Sequence, residues 1–390
     1  MKCSDKFEEI YHKSPSGISF CPYRVCPLGA HVDHQLGKIN GFALDKGINI
    51  AYGIKSNGVV ELASLQFEKR AQFHVRSVFD KKQDDWADYL RGATIELGKR
   101  YPLINGLSAV IEGSMPIGGL SSSAAVIIAF VSALCAVNNL HPGAQEVIDI
   151  ALRAEYNYVG VSIGKLDQSC EIYSRAGKLL YLDTLDDSFE LIQSPVLMKP
   201  WKVAVFFSGV ERTLAGSGYN MRVDEVRSAA YALKAFSGMS YGKFEQTYMR
   251  DVPYDVYCKF KDRLPENWRK RAEHFYTEQE RVEKGADAWR RGDIVQYGRL
   301  VTESGASSIN NWETGSPELK TLYESIVRQD GVYGGRFSGA GFKGCCMALV
   351  DPAFEESIAS SVEKEYLGAF PALKGKYKFF PCETSDGVVL

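Results

Sequence analysis

Between Ser114 and Val126 the sequence runs Ser-Met-Pro-Ile-Gly-Gly-Leu-Ser-Ser-Ser-Ala-Ala-Val, and the apolar stretch continues to Val137. A segment apolar on nearly all sides forms a stable helix only when a large domain surrounds it. Its entry is equally informative. Gly118 and Gly119 permit positive φ and close approach of a ligand, while Ser121, Ser122 and Ser123 fall where a helix N-terminus leaves its N–H groups unpaired. Such an end attracts anions. The turn therefore reads as a phosphate cradle, although an ordinary serine cap after a loop fits this stretch equally well when it is taken alone.

The rest of the chain can supply the enclosing domain. With 390 residues, 45% of them hydrophobic and 24% charged, it has room for two domains, each with a core of its own. A net charge of -2 without any block of like charges argues against nucleic acid or an acidic membrane surface as partner and favours a small molecule. Residues 1–15 are charged and amphipathic rather than signal-like, and no run approaches the roughly 18 to 20 apolar residues of a membrane span, so a cytoplasmic protein is expected. The nine cysteines are scattered, without a Cys-x-x-Cys pair or clustered histidines. They read as reduced core thiols rather than as a zinc site.

Taken in order, Asp5 to Lys13 reads as a short surface helix and Gly17 to Val25 as a strand. The strand delivers Tyr23-Arg24-Val25-Cys26-Pro27-Leu28-Gly29-Ala30-His31-Val32-Asp33-His34-Gln35-Leu36-Gly37. Arginine, two histidines and an aspartate around proline and glycines compose a polar loop. Converging polar groups on a loop suggest recognition, with His31 and Asp33 suited to adjacent sugar hydroxyls; a solvated turn is the alternative. Strands are expected at Ile48 to Gly53, Val59 to Phe67 and Phe73 to Val78, a helix at Trp86 to Lys99 and a strand at Leu107 to Ile111. Strand, glycine turn and helix then follow one another, as a phosphate loop requires.

Beyond the apolar helix, Pro142 to Tyr158 reads as a second helix, and Gly160 to Ser169 as a loop entering a third. Asp167 lies there beside Leu166. It suits either a helix cap or a group that orients or deprotonates a hydroxyl near the phosphate loop. Lys178 to Asp183 and Leu191-Ile192 read as strands. The chain restarts near Pro195 to Pro200 with a strong strand at Val203 to Phe207, which puts a domain boundary there. Glu211 to Arg222 reads as a polar, glycine-broken connection, and helices follow to about Ser304, with Trp268 to Arg271 and Trp289 to Arg291 as solvated faces. Gly339-Ala340-Gly341-Phe342-Lys343-Gly344 matches Gly-x-Gly-x-x-Gly formally. Cys345 to Val350 after it reads as a strand, whereas the dinucleotide fingerprint needs a helix, so a glycine-rich hairpin close to a ligand is expected instead.

Pro116-Ile117-Gly118-Gly119-Leu120-Ser121-Ser122-Ser123-Ala124, the loop from Arg24 to Gly37 and Arg336 to Cys345 together resemble, in this order, the three motifs of the galactokinase-like GHMP small-molecule kinases. The resemblance covers nearly the whole chain. It implies an α/β (α+β) fold of two domains, here 1–196 and 197–390, with sugar and ATP bound between them and phosphate passed to the anomeric hydroxyl. By position, Asp167 matches the family's catalytic aspartate and Arg24 the arginine beside it. His31, Asp33, Gly164 and Tyr219 match positions lining the sugar. Gly118, Gly119, Leu120, Ser121, Ser122 and Ser123 match the nucleotide loop, with Ser123 at the serine that meets Mg²⁺.

Two departures bear on substrate and phosphate contacts. The phosphate loop is one residue shorter between Pro116 and Leu120 than the usual galactokinase pattern. Where galactokinases carry a glutamate that grips the C6 hydroxyl, this chain has Ala30. A glutamate there would oppose a C6 carboxylate at ~4 Å, a cost of about 1 kcal/mol in water and ~4 in a half-buried site. Alanine removes that repulsion and leaves room for the carboxylate. These details, with the basic Lys343, resemble the galacturonokinases, which implies D-galacturonate as acceptor, with Arg212, Lys343 and His31 as candidates to hold its carboxylate. D-galactose and L-arabinose are the alternative acceptors. A catalytically dead sugar sensor would be expected to lose Ser123 or Asp167, and both are present.

Overall fold

The computed structural model describes residues 2–116, 118–210 and 218–390. α1 (Cys3–Tyr11) precedes β1 (Gly17–Leu28), and β2 (Lys38–Lys55) returns antiparallel along it. β3 (Val59–Ser64), β4 (Ala71–His74), α2 (Asp88–Gly98) and β5 (Gly106–Gly113) follow. Next come α3 (Ser122–Asn138), α4 (Ala144–Arg153), α5 (Leu166–Tyr173), β6 (Lys178–Asp183) and β7 (Phe189–Gln193). The later chain contains β8 (Lys202–Phe207), then α6 (Tyr219–Ser237), α7 (Tyr254–Phe260), α8 (Glu266–Arg290), α9 (Ile294–Asn310) and α10 (Pro317–Val327). β9 (Val332–Phe337), β10 (Cys345–Val350), α11 (Glu355–Ala369), β11 (Lys378–Cys382) and β12 (Thr384–Ser385) complete it.

Among the described residues these strands form an eight-stranded sheet and a four-stranded one of order β11-β8-β10-β9. The 18-residue β2 is the spine of the larger sheet. One edge carries β1; the other is taken in turn by β6 at Lys38 to Gly41, β12 at Ala43 to Leu44 and β5 at Ile48 to Lys55. α3 lies against β1, β2 and β5 with α2 and α4 alongside, so most of its apolar circumference is buried. Each buried Ile, Leu or Phe on it contributes about 1.5–3 kcal/mol. The same core continues from Ile50 and Ile111 in the larger sheet to Val205 and Met347 in the smaller one.

The sequence placed the elements well and their ends less well. β1 runs on to Leu28, so Arg24 to Leu28 are strand rather than loop, and residues 21–35 are buried throughout, which rules out the solvated turn. Alternation stops being visible where both faces of a strand are covered. β2 starts ten residues before Ile48 for the same reason, and β3 ends at Ser64, before Phe67. α1 buries Cys3 and Phe7 against the sheet. Tyr219 to Arg222 form the first turn of α6, not a connection. Arg271 and Trp289 are fully buried rather than solvated, because α8 is packed by α6, α9 and the larger sheet. Trp289 meets Phe42, Trp201 and Tyr297, and Arg271 pairs with Glu225 at 2.7 Å and Glu313 at 2.6 Å.

Candidate active site

A cavity of about 320 Å³ is walled by the end of β1, the loop after it, the start of α3, the entry to α5, Tyr219 of α6 and the turn between β9 and β10. Arg24 projects from β1, where it is buried, and meets Asp167 in the first turn of α5. Its Nε and Nη2 both donate to Asp167 Oδ1, at 2.8 and 2.6 Å. Oδ2 of Asp167 has no hydrogen bond among the described residues. Burial alone would lower the Arg24 pKa, but the Asp167 charge and hydrogen bonds raise it above the ordinary arginine range. The cap reading of Asp167 fails, since α5 has no side-chain cap.

The loop after β1 is held in an unusual shape. Gly29 has φ 95° and His31 φ 66°, left-handed conformations that glycine adopts freely and histidine tolerates. Its backbone is gripped from α8, where Glu278 Oε1 accepts from Gly29 N–H at 2.7 Å and His274, one turn earlier, donates Nε2–H to the Ala30 carbonyl at 3.0 Å. The His274 tautomer follows, because a carbonyl only accepts; its Nδ1 then accepts from Ser307 Oγ at 2.9 Å. Asp33 Oδ2 accepts from Leu166 N–H at 3.2 Å, and a side chain on Gly164 would strike that carboxylate. Burial and the nearby Asp167 push Asp33 up to about 6. His31 lies flat on Trp312, ring centres 5.2 Å apart and planes 3° from parallel, with its Nε2 buried and unpartnered.

At the phosphate loop, Ser121 takes φ 57° ahead of α3, which has no side-chain cap, so the first N–H groups of the helix remain available. Ser121 Oγ is buried without a partner. An orphaned hydroxyl and an uncapped helix end suit phosphate oxygens. Gly118, Gly119, Ser121, Ser122 and Ser123 line the cavity, whereas the Leu120 side chain joins the core. The turn between β9 and β10 presses on this loop. A Cβ on Gly344 would sit 2.7 Å from Gly118 C, and one on Gly339 2.9 Å from Gly119 Cα; Cys345 Sγ donates to the Gly118 carbonyl at 2.9 Å. The antiparallel β9–β10 pair bears out the hairpin reading over the dinucleotide one.

Several wall residues escaped the sequence. Phe67 and Trp86 stack at 5.7 Å and 2° from parallel, beside Gln66 and Tyr89, giving a flat apolar surface at the cavity. Their only signal was an aromatic set among charged neighbours in each of two segments. Glu155 lines the cavity from a π-helical turn, Ala154–Val159, that follows α4. Ser123 and Glu155 are hard oxygen donors of the kind magnesium accepts alongside phosphate oxygens and water. Lys343 is not in the wall, and Arg212 lies outside the described residues.

An aspartate paired to arginine thus faces an uncapped helix end across one cavity. Residues 88–175 match the GHMP kinases N terminal domain and residues 286–368 the GHMP kinases C terminal domain. The chain belongs to the GHMP kinases, in their galactokinase-like branch, with the two-domain fold of that family. It is 38% identical to a galacturonokinase of Arabidopsis thaliana over 95% of this chain and 92% of the relative, and 30% identical to a galactokinase of Roseiflexus sp. over 98% and 95%. The solved galactokinase of Lactococcus lactis, complexed with galactose, superposes with a TM-score of 0.89 at 25% identity, covering 99% of this chain and 98% of that one. The protein is an ATP-dependent sugar kinase. No helix among the described residues is long and apolar enough to cross a membrane.

Proposed function

We propose that the protein phosphorylates D-galacturonate at its anomeric hydroxyl, giving α-D-galacturonate 1-phosphate. The observation that carries this reading is Ala30. It stands in the cavity wall, and His274 fixes its carbonyl, so the space beside it is built in rather than made by a loop shift. Likeness to the Arabidopsis galacturonokinase supports it. In this reading Asp33, His31, Gly164 and Tyr219 hold the sugar. Asp167 accepts the hydroxyl proton through Oδ2 while Arg24 holds the carboxylate in place. The α3 N-terminus and Ser121 to Ser123 receive the phosphates, and Phe67 and Trp86 offer the base a stacking surface. Ser123 with Glu155 would hold Mg²⁺, which offsets phosphate charge. Positioning supplies most of the remaining rate. The two lobes are residues 1–196 and 197–390. The nine unpaired cysteines, eight of them buried, support a reducing, cytoplasmic setting.

The test is ADP release by the purified protein with ATP and Mg²⁺, comparing D-galacturonate, D-galactose, D-glucuronate and L-arabinose at equal concentration. D-galacturonate is expected well ahead. D-galactose ahead would make Ala30 a tolerated substitution in an ordinary galactokinase.

A further inference from the structure

α5 carries Asp167 in its first turn, yet it is only eight residues long. An isolated helix shorter than about 12–15 residues is marginal in water, so what touches α5 decides where it stands. Its start is held by Asp33, which accepts from Leu166 N–H. Its far end is held by a segment distant in sequence. Beyond β12 the chain turns onto the C-terminal end of α5, where carbonyls have no partner within the helix. Val388 N–H donates to the Glu171 carbonyl and Gly387 N–H to the Ser174 carbonyl, each at 2.8 Å. In return Ala176 N–H donates to Asp386 Oδ1 and Gly177 N–H to Thr384 Oγ1, each at 2.9 Å. Thr384, Asp386, Gly387 and Val388 thus meet Gly177, Ala176, Ser174 and Glu171 in turn, and sliding α5 along this segment would break all four bonds together. The approach is close: a Cβ on Gly387 would lie 2.3 Å from the Ile172 carbonyl oxygen and 2.8 Å from that of Glu171. The Val388 side chain is buried in the core that runs beneath both sheets.

The segment starts from the same row of the sheet as Arg24. Ala43 of β2 pairs with Arg24 of β1 on one side and with Ser385 of β12 on the other, and Ser385 Oγ donates to the neighbouring Leu44 carbonyl at 2.7 Å. A closed ring of contacts follows: Arg24 to Ala43, Ala43 to Ser385, Gly387 and Val388 to the end of α5, and Asp167 back to Arg24. Resting on Asp167 as the proton acceptor in the reaction above, we propose that Asp386 to Val388 are positioning residues for the phosphoryl transfer. They set how far α5 reaches into the cavity, and so where Asp167 Oδ2 stands against the sugar hydroxyl. Glu171, whose carbonyl is gripped, lies one turn after Asp167 on the same face of the helix, so a displacement at one is passed to the other. A misplacement of about 1 Å at a reacting group costs on the order of 10²-fold in rate.

The experiment is steady-state kinetics on the full chain, with the sugar that the wild type turns over fastest, for Gly387→Val, Asp386→Ala and Asp386→Asn, each alone and combined with Asp167→Asn. Thermal unfolding of every variant sets an assay temperature well below the lowest midpoint. Gly387→Val drives a side chain into the α5 carbonyls and is expected to lower kcat about 10- to 100-fold, with KM for sugar and for ATP within about threefold of wild type. Asp386→Ala removes the acceptor for Ala176 N–H at an exposed position and should lower kcat about 3- to 10-fold in the same way, whereas Asp386→Asn keeps an acceptor oxygen and should stay within about twofold. In the Asp167→Asn background neither Gly387→Val nor Asp386→Ala should cost more than about twofold further, because no base is left to misplace. Losses that multiply in the double variants, a KM that rises as much as kcat falls, or a wild-type kcat in both single variants would overturn the assignment and leave Asp167 as the base. Near-normal turnover by Asp167→Asn itself would overturn both. Where Gly387→Val does not fold, Asp386→Ala decides alone.

Discussion

Asp167 and Asp33 share a cavity but have different surroundings, and their expected behaviour differs accordingly. Asp167 gives Oδ1 to Arg24 and, in the proposed reaction, uses Oδ2 for the sugar hydroxyl, so Asp167→Asn should bind sugar within about threefold of wild type while losing at least about 10³-fold in kcat. Sugar binding by calorimetry and turnover by ADP release separate the two, and near-normal turnover would remove Asp167 from the proton transfer. Asp33 titrates at about 6 because burial and then Asp167 disfavour its charge. If the ionised form holds the sugar hydroxyls, KM for sugar should rise about tenfold per unit as pH falls below about 6. Asp33→Asn should abolish that step. The sign for stability is opposite to that for binding. A carboxyl raised from 3.8 to about 6 favours the fold below the unfolded value, and the contribution is lost as pH rises through about 6.

At the scale of elements, the phosphate loop is shaped from outside as much as by its own glycines. Gly118 and Gly119 take φ of 143° and 84° while Gly339 and Gly344 take 70° and 104° against them. Adding a methyl at Gly344 combines a left-handed backbone with a collision at Gly118. Gly344→Ala should therefore cost about 1–3 kcal/mol and raise KM for ATP more than KM for sugar, which denaturant melts and steady-state kinetics would show. An equal rise in both would mean that the turn supports the whole cavity rather than the phosphates. Much of this was legible in the sequence. The glycine–serine entry to α3 and the hairpin at Gly339 to Gly344 follow from local chemistry that a single segment can display, whereas the pairing of Arg24 with Asp167, 143 residues apart, was implied only by the family resemblance. The Phe67–Trp86 stack, Glu155, and the grip of His274 and Glu278 on the Gly29–Ala30 backbone join residues far apart in the chain. No spacing announces them. The polarity of Arg24 to Gly37 suggested a loop because nothing local reveals that its side chains and backbone find partners on α5, α8 and β9.

For the molecule as a whole, Arg336 and Glu278 form a buried ion pair that also grips the end of β1 and the loop after it. Both are fully buried, 3.5 Å apart, with Ser304 between them and the Pro27 carbonyl and Gly29 N–H held at their edges. Burial would raise Glu278, but Arg281, His274 and Arg336 bring it down to about 2, so its contribution to stability is present above about 4.5 and lost as pH falls toward about 2. Arg336→Met leaves Glu278 without its buried partner on β9 and should cost about 3–5 kcal/mol in chemical denaturation. A loss below about 1 kcal/mol would show that Arg281 alone satisfies the carboxylate.

The short strand β12 ties the two sheets together a second time. The chain passes between them once from β7 to β8 and again from β11 to β12, where Thr384 and Ser385 pair with Leu44 and Ala43 of the spine strand. A panel nailed at one corner can still turn, and nailed at two it keeps its bearing. With a single core running beneath both sheets, the second crossing helps to fix the angle at which the smaller one stands to the larger.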